Sequence, residues 1–406
     1  MDADFFYWGA AVYLQKIKNR LYDRVLLYML KHRRQNARQD TYVFFDNLSS
    51  KATEEIDAFT LFECCRDSGI PAVYVAARGG FLHRKTAGKA ADGIFFVEDE
   101  KESWFLNEEL FSVMLRTRAV ITSFGCVSGR LEKFFARSAN IEYIFIGHGM
   151  TFFRLSHLKG YYMSARRYNR ILVSNEYEKE LMLRHGWREK QIIKTGLPRW
   201  DKLARKKTSG VRGGGKVLIF FTWRKTFENT ADGAENFEYM KNLRAFLLSD
   251  KLREIKENYG VTFCMAGHHA LTEQCGIDLA QISGGHVELV SSNLISGLIA
   301  ESALLITDFS SVFADFYYQS KPVIFYRLDA EDENLIPEEK KDMTDIASRT
   351  PLVSNVFYSQ EEVFKKLEHY ILRGFQMDGE EQKKAGLFFC EKDDLSRRTM
   401  ERIILG

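Results

Sequence analysis

The sequence predicts an α/β protein of two Rossmann-like domains facing an interdomain cleft. Three observations carry that reading. Short β-branched and aromatic runs alternate with helix-like stretches at residues 42–45, 72–75, 93–97, 119–122, 143–146 and 170–173, the rhythm of βαβ units on a mainly parallel sheet. A basic stretch rich in Ser and Gly, residues 201–216, has no apolar period and reads as a linker. A second alternating series follows at 217–221, 262–265, 287–290, 303–306 and 323–326. Open α/β sheets bind ligands outside the carboxyl ends of their strands, so the chemistry is expected just after these runs.

Composition agrees with two ordinary cores: 406 residues, 45% hydrophobic and 14% aromatic. The charged fraction is 28% and the net charge only +3, which excludes a disordered chain and gives no reason to expect a nucleic-acid partner. Cys64, Cys65, Cys126, Cys264, Cys275 and Cys390 are scattered without a C-x-x-C spacing, so reduced thiols are expected and neither a zinc site nor a disulfide framework. No cleavable leader is recognised, and no run approaches the roughly 18 to 20 apolar residues of a spanning helix. The expected compartment is the cytoplasm.

Taken in order, residues 1–40 carry a basic amphipathic helix. Leu14, Ile17, Leu21, Val25 and Tyr28 recur at helical spacing, and Lys16, Lys18, Arg20 and Arg24 lie between them. Two readings stand: a helix lying on an anionic membrane leaflet, or one packed on its own domain with a solvated basic face. Residues 41–205 form the first Rossmann-like domain, 206–390 the second, and 391–406 a closing helix that can pack back on the first.

Three strand ends hold candidate chemistry. Ile144-Phe145-Ile146 runs into Gly147-His148-Gly149, and flanking glycines leave the imidazole unshielded, as a general base for a hydroxyl requires. A strand-end turn whose histidine caps a neighbour has the same sequence. Phe263-Cys264-Met265 runs through Ala266-Gly267 into His268-His269, whose side chains point to opposite faces if the strand continues, so His268 is favoured for the cleft and His269 for structure. Partners at metal-ligand spacing are missing. Leu304-Leu305-Ile306-Thr307 runs into Asp308-Phe309-Ser310-Ser311, which suits either an anion site at a helix start or plain N-capping by Asp308 or Ser310. Arg224, in Thr222-Trp223-Arg224, and Arg199, in Gly196-Leu197-Pro198-Arg199, are candidates for neutralising phosphate oxygens, or surface arginines. Neither a phosphate-binding P-loop nor a strand-linked G-x-G-x-x-G occurs, which argues against an ordinary ATPase or NAD enzyme.

In this order, His148-Gly149, Val173-Ser174-Asn175-Glu176, Gly196-Leu197-Pro198-Arg199, Thr222-Trp223-Arg224, His268, and Thr307-Asp308-Phe309-Ser310-Ser311 with Lys321-Pro322-Val323-Ile324-Phe325-Tyr326 resemble the CDP-glycerol glycerophosphotransferase family of teichoic-acid and capsule synthesis. The resemblance covers residues 140–330. It implies a GT-B-like arrangement with an acceptor domain first and a CDP-donor domain second. The implied donor is CDP-glycerol or CDP-ribitol, and CMP is the leaving product. The implied acceptor is a polyprenyl-diphosphate-linked saccharide or growing polymer at the inner membrane leaflet, so the expected location is peripheral, on the cytoplasmic face of the cell membrane. It further implies His148 as the base, His268 at the donor phosphates, and Ser310 and Ser311 at the diphosphate; Asp308, Arg224 and Arg199 join them as donor-site candidates read from the residues themselves. No cofactor and no metal is implied.

The chain departs from the family's usual pattern after the first histidine, reading Met150-Thr151-Phe152-Phe153-Arg154 where Thr-Pro-Leu-Lys is common. The following basic segment, with Arg154, Lys159, Arg166 and Arg167, suits a lipid-diphosphate acceptor or a solvated loop. Rival readings are a glycosyltransferase or epimerase of GT-B outline using a UDP-sugar, and an inert membrane adaptor of the same fold.

Overall fold

The computed structural model describes residues 28, 32, 38–45, 56–89, 92–97, 108–123, 141–153, 155, 158, 163–205, 214–229, 237–266, 284–291, 294–330 and 332–405. Strands β1 (Thr41–Phe45), β2 (Ala72–Ala77), β3 (Ile94–Val97), β4 (Thr117–Thr122), β5 (Glu142–Phe145), β6 (Arg170–Val173) and β7 (Ile192–Lys194) form one sheet, in the order β3-β2-β1-β4-β5-β6-β7. Strands β8 (Lys216–Phe220), β9 (Thr262–Ala266), β10 (Val287–Val290), β11 (Leu304–Thr307), β12 (Val323–Tyr326) and β13 (Val356–Phe357) form the other, in the order β10-β9-β8-β11-β12-β13. The central strands are apolar on both faces because helices cover both, as parallel sheets require: Val43 pairs with Val73 and Val120, and Ile306 with Ile219 and Ile324. This is the two-domain Rossmann-like α/β fold that the alternation predicts.

Strand order locates the ligand side. The first sheet reverses direction between β1 and β4, the second between β8 and β11, and crevices open at such points beyond the carboxyl ends. The segments that follow β8 and β11 are Thr222-Trp223-Arg224 and Asp308 to Ser311, both singled out by sequence.

By packing, the chain divides into two compact units. One holds Ala58–Ile146 and Ala165–Ile171 with β1; the other holds Gly147–Ser164 and Leu172–Gly406 together with Asp57. Two apolar layers enclose the second sheet. Phe221, Tyr239, Phe246, Tyr326 and Phe364 belong to one, while Phe153, Trp200, Phe309, Phe313, Phe325 and Phe388 belong to the other. Helix ends follow ordinary capping chemistry: Ser249 accepts the Lys251 N–H at 3.2 Å, and Gly260 closes the same helix, Asp250–Tyr259, at φ 64°.

The predicted linker begins later than the sequence suggests. Residues Arg199–Arg205 are helical, with Trp200 and Leu203 buried, and Asp201 accepts the N–H groups of Leu395 and Ser396 at 2.9 and 2.7 Å. Asp201 thereby caps the closing helix, Leu395–Leu405, whose Thr399 hydroxyl lies 2.7 Å from that of Thr195, just after β7. Among the described residues no helix is long and apolar enough to cross a membrane.

Candidate active site

At the switch point of the second sheet, Asp308 draws the two strand ends together. Its carboxylate accepts the Thr222 N–H at 3.1 Å, the Thr222 hydroxyl at 2.6 Å and the Phe309 N–H at 2.7 Å. Arg224 adds a bond of 3.0 Å to Asp308 and a two-pronged pair to Asp329 at 2.6 and 2.8 Å. Its guanidinium carbon lies 4.5 Å from the Phe309 ring centre and 4.7 Å from that of Tyr239. Burial disfavours the charged guanidinium, but Asp329 and Asp308 outweigh it and hold the arginine's pKa above its ordinary value. The sequence reading gives Arg224 and Asp308 to the donor phosphates. In the structure the Arg224 side chain is 0% exposed and its fork binds Asp308 and Asp329.

Ser310 and Ser311 follow in the same turn. The Ser310 Oγ accepts the Val312 N–H at 3.3 Å, while the short helix Phe313–Tyr318 begins without a side-chain cap. Neither Asp308 nor Ser310 therefore caps that helix in the simple sense. Ser311 is only partly buried and lies against the loop that carries His148. A Cβ placed on Gly149 would sit 2.5 Å from the Ser311 Oγ and 3.1 Å from its Cβ, so Ser311 would have to shift to admit one. Glycine at 149 thus permits the close approach, and Gly147, at φ +70°, makes the turn before it. His148 itself is exposed.

Two buried groups hold this loop. Arg199 donates to Asp57 from its backbone N–H at 2.9 Å and from Nη1 at 2.6 Å, to Asp315 at 2.9 and 3.1 Å, and to the His148 carbonyl at 3.4 Å. Trp200 Nε1 reaches Asp315 at 2.7 Å. Burial raises the Asp57 pKa above the usual carboxylate range, with Arg199 opposing it. Arg199, expected beside the donor phosphates, is bound in the structure by these carboxylates. On the other side of the loop, Glu178 accepts the Thr151 N–H at 2.5 Å and the Ser174 N–H at 2.7 Å, and also takes the Ser174 hydroxyl. Sequence reading missed Asp57, Asp315, Asp329 and Glu178. Only the last left a local signal: Asn175-x-x-Glu178 after a strand is a helix-start pattern, and Asn175 Oδ1 does cap the Glu178 N–H at 2.8 Å.

Lys321, in the last of the matched motifs, is buried and donates to the carbonyls of Ile299 and Ala300 at 2.8 and 2.9 Å; burial lowers its pKa to about 8. Arg166 is exposed, and the Arg167 guanidinium lies 5.2 Å from the Tyr168 ring centre; both belong to the first unit. His268, Arg154, Lys159, Lys16, Lys18, Arg20 and Arg24 lie outside the described residues. Among the described residues, Cys64, Cys65, Cys264 and Cys390 are free thiols, and no cluster of three or more His, Cys, Asp or Glu is placed to hold a metal ion.

The family model of CDP-Glycerol:Poly(glycerophosphate) glycerophosphotransferase matches residues 85–405. The chain is 27% identical over 294 residues to the minor teichoic acid biosynthesis protein GgaB of Bacillus subtilis, across 68% of this chain and 30% of that protein. It is 24% identical over 232 residues to a teichoic acid poly(glycerol phosphate) polymerase of Bacillus spizizenii, across 50% of this chain and 56% of that one. The matches therefore span less than two thirds of either relative. In fold it is similar to the wall teichoic acid polymerase TagF, with a TM-score of 0.62 at 16% identity and 97% of each chain covered. It is also similar to the UDP-GlcNAc 2-epimerase of Neisseria meningitidis, with a TM-score of 0.53 at 12% identity, covering 90% of this chain and 100% of that one. With the family model matched over most of its length, the chain belongs to the CDP-Glycerol:Poly(glycerophosphate) glycerophosphotransferase family.

Proposed function

We propose that this protein transfers glycerol phosphate, or a related polyol phosphate, from a CDP-linked donor to a hydroxyl of a lipid-carried acceptor and releases CMP. The observation that carries the reading is the approach of the His148 loop to the serine turn, where Gly149 lies against Ser311 within one unit. A general base and a diphosphate-binding turn must meet for this chemistry. The acceptor oxygen attacks the phosphorus that bears the polyol, and a new P–O bond forms. The bond from that phosphorus to the bridging oxygen breaks, and CMP leaves with the electron pair. The hydroxyl proton passes to His148.

Ser310 and Ser311 are proposed to hydrogen-bond the diphosphate, with His268 at the same phosphates. Arg224, Asp308 and Arg199 serve the donor indirectly in this reading, by fixing the turn and the loop. Arg154, Lys159, Arg166 and Arg167 are assigned to the acceptor. Lys16, Lys18, Arg20 and Arg24 are assigned to an anionic leaflet, where each cation contributes about 1 kcal/mol. The deciding experiment measures CMP release from CDP-glycerol and CDP-ribitol with a polyprenyl-diphosphate-linked saccharide as acceptor. CMP formed in step with acceptor extension supports the proposal. Turnover of a UDP-sugar instead, or no turnover of either donor, overturns it.

A further inference from the structure

We infer that Glu178 is a positioning residue for His148, and this rests on the proposed transfer reaction. The loop from Gly147 to Thr151 is short and carries an exposed imidazole, so something must fix it against Ser311. Arg199 reaches its His148 carbonyl at 3.4 Å, a long bond for that task. Glu178 holds the other end at 2.5 Å through the Thr151 N–H. The same carboxylate is anchored to the end of β6 by the Ser174 N–H and hydroxyl, so it ties the loop directly to the sheet.

Among the described residues, the bonds to this carboxylate come from neutral donors: two backbone N–H groups and one hydroxyl. Glu178 is 4% exposed, and burial raises its pKa while the Ser174 and Thr151 bonds oppose the rise. Its helix start is fixed in turn, because Asn175 caps the Glu178 N–H and donates to the Phe388 carbonyl at 3.1 Å. A carboxylate used only to stabilise its helix would accept bonds within the first turn. This one reaches back to residue 151, three residues beyond the histidine.

The test compares the full-length chain with Glu178→Gln, which keeps size but turns an amide NH2 toward an N–H donor. Rates of CMP release are measured against donor concentration, and the His148 imidazole is followed by NMR in protein labelled with ¹³C-histidine, its signal assigned through His148→Ala. We expect kcat to fall about 10- to 100-fold, as a misplaced reacting group costs, with the donor KM within about twofold. The His148 signal should move while that of His369 stays. An unmoved His148 signal with unchanged kcat, or a rise in KM alone, overturns the assignment. Should Glu178→Gln fail to fold, Ser174→Ala removes one donor to the carboxylate and is expected to shift kcat and the His148 signal in the same direction by less. If the wild type releases no CMP, the transfer reading fails, and the His148 signal alone then decides the role of Glu178.

Discussion

Arg199 and Arg224 invite comparison, since each is a buried arginine held between two aspartates. Their partners differ in kind. Arg224 binds Asp308 and Asp329, both from strand ends of the second sheet, and its cluster stays within one edge of that sheet. Arg199 gathers Asp57, Asp315 and the His148 carbonyl, segments far apart in the chain. The same chemistry thus serves two purposes. One arginine joins the carboxyl ends of neighbouring strands, and the other reaches the loop that carries the proposed base. Neither has its fork turned to solvent, so the contrast concerns what each holds still.

The largest effect should come from the group these clusters serve. A general base contributes typically about 10² to 10⁴-fold, so His148→Ala should lower kcat by that order and leave the donor KM nearly unchanged. A folded His148→Ala protein with normal turnover at saturating donor and acceptor would leave the Arg199 cluster without a catalytic purpose. The comparison would then collapse to two stability devices.

Removing either arginine separates the clusters next. Arg224→Met strands Asp308 and Asp329, and Arg199→Met strands Asp57 and Asp315; breaking a buried pair from one side costs about 3 to 5 kcal/mol. Both variants should therefore melt well below the wild type. Kinetics of the surviving folded fraction should differ: Arg224→Met raises the donor KM through the loosened Thr222 and Asp308 turn, and Arg199→Met lowers kcat through the loop. Identical kinetic signatures would show that the two clusters act as one.

Much of this architecture was legible in the sequence, and the exceptions share a cause. Strands such as Arg170–Val173 and Val323–Tyr326 show as apolar runs because both faces are covered. The edge strands Ile192–Lys194 and Val356–Phe357 were missed because three and two residues give no period to read. Residues 201–205 read as the start of a linker because the basic residues there hide the burial of Leu203 in the helix Arg199–Arg205. The glycines around His148 were correctly marked as giving backbone freedom, yet only the structure shows that Gly149 serves close approach and Gly147 the turn. Both arginines were found but read as phosphate ligands. Their partners stand up to 142 residues away, and no local motif encodes such a pairing.

Smaller effects refine the account of the donor edge. Ser310→Ala with Ser311→Ala should weaken donor binding, each lost bond to a charged oxygen costing about 1.5 to 3 kcal/mol, while the melting temperature moves little. Among the described residues the Ser310 Oγ bonds the Val312 N–H alone, at a long 3.3 Å, so little structural support is lost. A large drop in melting temperature with an unchanged donor KM would return these hydroxyls to a purely local role and leave the Arg224 cluster guarding an empty edge.

The smallest expected effect concerns a carboxylate that has no arginine. Glu381 is buried and accepts the Tyr370 hydroxyl at 2.5 Å and the Val323 N–H at 3.0 Å, and burial raises its pKa to about 6 from 4.5, with those bonds opposing. A raised pKa means that the folded state favours the protonated form. The stability this gives is fully present below pH 4.5 and is lost as the pH climbs through 6. That preference corresponds to about 2 kcal/mol. Glu381→Gln cannot ionise, so its melting temperature relative to wild type should improve between pH 4.5 and pH 7. If the Glu381→Gln difference is flat across that range, burial is not what sets this carboxylate's behaviour.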